Sequence, residues 1–244
     1  MHSLIRWGTT LGLVGSTVLS TFLGGMLKVV ALPTEEVAKI LQGIPVFTIA
    51  DPQGAPLVAV AENKQRVTGV FISQKEAQNF FNELKKQKPD VASKVSVQPV
   101  SLGEVYKLIV ANEKKPDALV FSYVPTPQEV ASAKQVAGQD YTGGVPLFVA
   151  RGGKEKGYLT IEQNKEQVIP FFFEKKQITE MVERFKKDKP DLASTVSIDV
   201  VPLENVISTL QSSNDAMLKQ IRIVPTEEAL QFIRSLSAQQ PQKK

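Results

Sequence analysis

The sequence predicts an α+β protein built from two tandem, similar halves with pseudo-twofold symmetry. Three observations carry this. The chain repeats itself without gaps at an offset of 101 residues: positions 45–105 and 146–206 share 19 identities in 61, where unrelated chains of ordinary composition would share about 4. Each copy opens with short apolar, β-branched runs broken by turn-rich polar segments, the pattern of an antiparallel three-stranded meander. Each then switches to helical spacing: Ala77, Phe80, Phe81 and Leu84 in the first copy, Ile178, Met181, Val182 and Phe185 in the second, both at i, i+3, i+4 and i+7. Two copies of this length do not make a solenoid, which uses shorter and more numerous units.

Residues 1–31 read as an export signal. MHSLIRW carries one Arg and no acid, Gly8 to Leu27 is uncharged, and Val29 and Ala31 supply the small residues that precede a cut after Ala31. The rival reading is an uncleaved anchor, because about 20 uncharged residues can span a bilayer. The Gly and Thr content argues against a stable span, and the first acid, Glu35, comes just after the cut.

Beyond the signal, Leu32-Pro33-Thr34 opens a helix, LPTEEVAKIL, that resembles VPTEEALQFI near the C-terminus. Thr34 and Thr226 are expected to cap their helices, with Glu35-Glu36 and Glu227-Glu228 favoured in the first turns by the helix dipole. The meander strands are Pro45–Ala50, Leu57–Glu62 and Val67–Ile72 in the first copy. Ser73 with Glu76 makes a capping box for the helix that follows. Pro89 and Pro190 end these helices. A strand follows (from Val95 or Val196), then a helix with Leu102, Val105, Tyr106 and Ile109, matched by Leu203, Val206, Ile207 and Leu210. A further strand, Ala118–Val124 or Met217–Val224, runs into the Val-Pro-Thr helix. The organisation is therefore a signal over 1–31, a first half over 32–137, a linker over 138–144, a second half over 145–236 and a disordered tail over 237–244.

Composition removes many functions. The chain has no Cys, and its one His is His2. Disulfides, thiolate nucleophiles, Cys zinc or iron–sulfur sites, His triads and multi-His metal sites are excluded. After cleavage 27 basic residues face 25 acidic ones, which supports no nucleic-acid partner. No G-x-S-x-G, Walker or G-x-G-x-x-G motif occurs, and no carboxylate pair stands out. The reading is not an enzyme, with no catalytic residue, cofactor or metal. The lysine runs KKQK and KKDK read as solvated helix ends favoured by the C-terminal dipole, with an anionic membrane or acidic client as the alternative.

The third strand is the informative one. Phe47/Phe148, Val67/Val168 and Phe71/Phe172 share one face and belong to the core against the helices. The opposite face carries Thr68, Val70 and Ile72 in one half and Ile169, Phe171 and Phe173 in the other. A meander with helices on one side only should be polar there, so something covers it. Three readings stay open: further helices of the same protein, a homodimer interface, or an apolar pocket in each half that binds segments of other polypeptides. In the last, Val70, Ile72, Ile169, Phe171 and Phe173 are the client-binding residues.

The segment Gly43-Ile44-Pro45-Val46-Phe47-Thr48-Ile49-Ala50-Asp51, with Gly54 and Pro56-Leu57-Val58, and its counterparts Gly144-Val145-Pro146-Leu147-Phe148 and Phe171-Phe172-Phe173, resembles the family of the twenty-two-kilodalton soluble component of the chloroplast inner-envelope protein-import translocon. The N-terminus resembles a bacterial signal, which points to the cyanobacterial branch. The resemblance implies a periplasmic, chaperone-like factor that supports outer-membrane protein biogenesis or envelope protein transport. It implies unfolded or outer-membrane β-barrel proteins as partners, with an outer-membrane assembly complex as another, and no stable membrane span after cleavage. A structural adaptor of an envelope translocation assembly and a lipid or small-ligand carrier are the alternatives. The second half has ARGGKEKG where the first has ADPQGAP. If the first hairpin takes part in binding, the two halves are not equivalent.

Overall fold

The computed structural model describes residues 31–239, with side chains through residue 235, and the backbone of Leu11–Val14. The elements in chain order are β1 (Leu11–Val14), α1 (Thr34–Leu41), β2 (Pro45–Ala50), β3 (Ala59–Val60), β4 (Arg66–Phe71), α2 (Gln74–Gln87), α3 (Pro89–Ala92), β5 (Ser96–Ser101), α4 (Leu102–Asn112), β6 (Val120–Val124) and α5 (Pro127–Ala137). There follow β7 (Pro146–Gly152), β8 (Gly157–Gln163), β9 (Glu166–Phe172), α6 (Lys175–Asp188), β10 (Ser197–Pro202), α7 (Leu203–Ser212), β11 (Ile221–Val224) and α8 (Glu227–Gln239). Short 3-10 turns cover Gly138–Asp140, Pro190–Thr195 and Ala216–Gln220. The fold is α+β, as the sequence predicts.

The chain forms two compact units. The first-repeat unit holds Pro33–Val130 together with the chain from Pro225 onward; the second-repeat unit holds Ala131–Val224 and β1. The C-terminal helix α8 thus belongs to the first-repeat unit, although it follows the second repeat in sequence. The division falls inside α5, not in the Gly138–Gly144 linker. Helix α8 runs to Gln239, into the segment assigned to a tail; Gln240–Lys244 and most of the export signal lie outside the described residues.

In the first-repeat unit β5 pairs antiparallel with β2 in register from Pro45↔Ser101 to Ala50↔Ser96. Strand β6 pairs in parallel with β4. The two inner strands meet at Phe47↔Phe71. The expected middle strand of the meander is shorter than Leu57–Glu62: only Ala59–Val60 pairs, with Val67 and Arg66 of β4. One face of this sheet packs on α2 and α8, where Phe47, Ile49 and Phe71 close against Ala77 and Phe81 of α2, with Phe232 of α8 at the margin. Ser73 caps α2 by accepting from the Glu76 N–H at 3.3 Å. Phe80, placed on the same helical face by spacing, is 48% exposed, although its ring still touches Phe71. Helix α1 lies against α4. A Cβ on Gly103 would sit 2.5 Å from the Ala38 carbonyl oxygen, so a residue without a side chain lets these helices approach. Lys107 of α4 reaches Glu35 of α1 at 3.2 Å. Thr34 does not cap α1: the cap residue is Pro33 and has no side-chain bond to give. Thr226 does cap α8, accepting from the Ala229 N–H at 3.1 Å.

The second-repeat unit repeats these pairings. Strand β10 is antiparallel to β7, β11 is parallel to β9, and the inner strands meet at Phe148↔Phe172. Helix α6 packs on β7 and β9, with Ile178, Met181, Val182 and Phe185 all buried. Here the middle strand is long: β8 pairs with β7 at one end, with β9 at the other, and with β1 on its outer edge. The strand expected from Met217 begins only at Ile221, because Asp215 accepts from the Met217 N–H at 2.8 Å and starts a tight turn. The linker is bound down: Tyr141 is buried and donates to the Gly144 carbonyl at 2.6 Å, and the Glu204 carboxylate accepts from the Val145 N–H at 3.1 Å.

Candidate functional site

The sheet face opposite α2 and α6 is where the two repeats hold apolar residues that a one-sided meander would not need. A helix of the same unit covers it in each case. Side chains alternate along a strand, so Val70 of β4 and Ile169 and Phe171 of β9 point away from the α2 and α6 layers. They meet α4 in the first-repeat unit and α7 in the second. All five candidate residues, Val70, Ile72, Ile169, Phe171 and Phe173, are buried, Phe171 at 4% exposure. Of the three readings of this face, cover by helices of the same protein describes it: the helix that follows β5 or β10 folds back over it.

The cover is incomplete. In the second-repeat unit a cavity of about 130 Å³ remains between β9, β10, α7 and the turn before β11, with Ile169, Phe171, Val201, Val206 and Thr209 in its wall and Met217 and Leu218 at its end. In the first-repeat unit a cavity of about 240 Å³ is bounded by Val70, Val100, Val105, Leu108 and Phe121. The two are the same site. Val70, Val100, Val105 and Leu108 correspond at the repeat offset to Phe171, Val201, Val206 and Thr209. Phe121 pairs with Thr68 as Ile221 pairs with Ile169. Each is reached past one exposed helical residue: Leu108, 53% exposed, or Thr209.

Three of the five sequence-derived residues, Val70, Ile169 and Phe171, therefore line cavities. Ile72 and Phe173 lie just past the strand ends and are packed away from both. Sequence reasoning missed Leu108 and Thr209, which stand off the apolar stripe of their helices. Leu108 carried a signal, a large apolar residue outside that stripe. Met217 and Leu218 were hidden by reading their turn as strand.

The two cavities differ in chemistry, and the first hairpin is the reason. Asp51, Pro52, Gly54 and Pro56 form one wall of the larger cavity, with Thr48 and Gln98 beside them. The Asp51 carboxylate holds that hairpin, accepting from the Gln53 and Ala55 N–H groups at 2.9 Å each. In the second-repeat unit the equivalent hairpin joins β7 to β8 directly, through Arg151↔Tyr158 and Gly152↔Gly157, and Tyr158 takes its place at the cavity. Its ring lies 6.1 Å from Phe171, and it accepts from Arg151 Nη2 at 2.7 Å. Arg151 in turn meets Asp199 at 3.4 Å.

The lysine runs end α2 and α6, and Lys86 and Lys186 pair with Glu83 and Glu183 of their own helices at 2.7 and 3.3 Å. Among the described residues no cluster of three or more His, Cys, Asp or Glu side chains could hold a metal, and no helix is long and apolar enough to cross a membrane.

A family model described as the Tic22-like family matches residues 9–235. The chain belongs to the Tic22-like family. Its relatives include the protein TIC 22, chloroplastic, of Pisum sativum, 21% identical over 215 residues, covering 87% of this chain and 81% of the pea protein. The Arabidopsis thaliana protein of the same name is 22% identical over 206 residues, covering 82% and 71%. Among solved structures, Anabaena Tic22, a protein-transport protein, superposes with a TM-score of 0.73 and 28% identity over 87% of this chain and all of that one. Tic22 from Plasmodium falciparum gives a TM-score of 0.66 at 18% identity over 84% and 99%, a likeness of fold. The Anabaena match supports the cyanobacterial branch of the Tic22-like family.

Proposed function

We propose that this chain is a chaperone-like factor of the cyanobacterial periplasm that binds apolar segments of proteins in transit and supports outer-membrane protein biogenesis or envelope protein transport. The observation that carries this is the pair of equivalent apolar cavities, one in each unit, kept through a duplication in which most positions have changed. Their size favours single side chains as the occupants. An engineered apolar cavity of about 150 Å³ takes up benzene, whereas ordinary small-ligand sites run to about 300–1,000 Å³. Cavities of about 130 and 240 Å³ suit one aromatic or branched side chain each. A lipid acyl chain would need more room.

The periplasm supplies no ATP, so such a factor binds and releases by affinity alone. Two weak half-sites on one chain give avidity while each contact exchanges rapidly. Unfolded outer-membrane β-barrel precursors, which expose apolar residues at intervals, are the partners this suits.

The test is photo-crosslinking in intact cells with probes at Thr209 and Leu108, the exposed residues at the two cavity mouths, and a control at the exposed Lys187. A range of outer-membrane precursors captured at both mouths and absent from the control is the expected result. One discrete, stoichiometric partner would replace the client-binding reading with an adaptor.

A further inference from the structure

The two repeats differ most at the middle strand of the meander. In the first, β3 is two residues long and solvent-exposed, with Val60 69% exposed and Pro56 just upstream. Short length and a nearby proline are how sheet edges are made unreceptive to other strands. In the second, β8 runs for seven residues, and Gly157-Tyr158-Leu159-Thr160-Ile161 contains no charge and no proline. Its inner edge is used by β7 and β9. Its outer edge carries the backbone of β1, antiparallel, with Leu11↔Ile161, Gly12↔Thr160, Leu13↔Leu159 and Val14↔Tyr158.

The sequence seated there, Leu-Gly-Leu-Val, lies inside the segment read as an export signal. A chain cut after Ala31 loses it, and the backbone groups of the β8 edge lose their partners. Exposed peptide groups along an uncharged stretch of edge strand form a template for another strand.

We propose that the outer edge of β8 is a strand-addition site that takes an extended, uncharged, apolar segment of a client polypeptide, and that Leu11–Val14 fills the same site before the signal is removed. This rests on the client-binding reading above and adds a second mode of contact to it. Main-chain hydrogen bonds along Tyr158–Ile161 would tolerate many sequences, as a general client binder requires. In an antiparallel pair, directly opposed residues share a face, so the client residue opposite Tyr158 lies on the face where the smaller cavity opens. The edge and that cavity would then read adjacent parts of one segment.

The test uses the full chain, wild type and with Leu13→Pro, which removes an amide donor from β1; Gly12→Pro is the second variant. The probe is a fluorescent synthetic peptide containing Leu-Gly-Leu-Val, with a twin N-methylated at alternate amides that keeps the side chains and loses the donors. The unmethylated peptide is expected to bind the proline variants about tenfold or more tighter than wild type, where the tethered segment competes. The methylated twin is expected not to bind, and the alternate amides of Tyr158–Ile161 that face the outer edge to exchange more slowly with peptide present. Equal binding of both peptides would overturn strand addition and leave recognition to side chains. No binding to either folded proline variant would overturn it as well, while crosslinking at Thr209 decides the client-binding reading separately.

Discussion

The ring of Phe232 meets the ring of Phe47 edge-on, with centroids 5.4 Å apart and planes at 75°. One residue sits in the last helix of the chain and the other in the first strand after α1. The first-repeat unit is therefore completed only by α8, which follows the second repeat in sequence. Glu228 of the same helix accepts from the Lys75 N–H at 2.9 Å, at the open end of α2. Phe232→Ala should cost about 1–3 kcal/mol, less than a fully buried Phe because Phe232 keeps some exposure. Hydrogen exchange should locate the loss in β2 and β4, with β7 and β9 unchanged. Equal loosening of both sheets would show that α8 does not act on the first-repeat unit alone.

The cavity residues separate binding from folding. Phe171→Asp should unfold the second-repeat unit, because it places an unpaired carboxylate in an apolar interior. Thr209→Trp should fill the cavity mouth from an exposed position, leave the melting temperature within a few degrees, and reduce capture of an unfolded outer-membrane protein. Circular dichroism and a binding assay on the same two variants check this. Undiminished binding by a folded Thr209→Trp would remove the smaller cavity from the client surface.

Gly144 has φ +85°, and a Cβ there would lie 2.6 Å from Glu204 Oε2. Gly144→Ala should therefore destabilise by about 1–3 kcal/mol, combining left-handed strain with displacement of the carboxylate that accepts from the Val145 N–H. Glu204→Gln, which keeps an acceptor oxygen, should cost less. Chemical denaturation of the two variants gives the comparison.

Burial, and then the nearby Glu204 carboxylate, hold the Tyr141 phenol above its ordinary pKa. The folded state thus keeps this proton to higher pH than the unfolded chain does. Its stabilising contribution is complete below the unfolded value of about 10, and it is lost as pH rises through the folded value. Tyr141→Phe should flatten that alkaline slope and, by deleting the bond to the Gly144 carbonyl, cost about 1 kcal/mol at neutral pH. A slope unchanged by the substitution would assign the alkaline loss to another group.

Thr68 is buried, and no protein atom among the described residues bonds its hydroxyl. Its repeat counterpart is Ile169. Thr68→Val should be neutral or stabilising by about 1 kcal/mol, because it removes a polar group from an apolar interior. Thermal denaturation decides it, and a clear loss of stability would mean the hydroxyl is bonded.

The repeat itself made most of the architecture legible. Residues shared at offset 101, such as Phe47/Phe148 and Phe71/Phe172, fall on matching strands and form the same inner pair in each unit. Proline and serine punctuation at Ser73, Pro89 and Pro190 placed the ends of α2 and α6, because capping and proline chemistry act over a few residues. Thr34 failed as a cap and Thr226 succeeded although their local sequences are nearly the same. Which residue begins a helix depends on the entry angle of the chain, and neighbours far away in sequence set that angle.

The sequence alone determined the duplication, the α+β elements, the absence of Cys and His chemistry in the described chain, and the strand positions that carry the unusual apolar face. These follow from local periodicity, composition and the repeat. Only the tertiary structure decided that α4 and α7 fold back over that face, that they leave a cavity in each unit, and that α8 belongs with the first repeat. It also decided that β8 offers a long edge where β3 does not. Each of these depends on contacts between residues far apart in the chain, and packing and long-range strand pairing leave no short-range pattern to read.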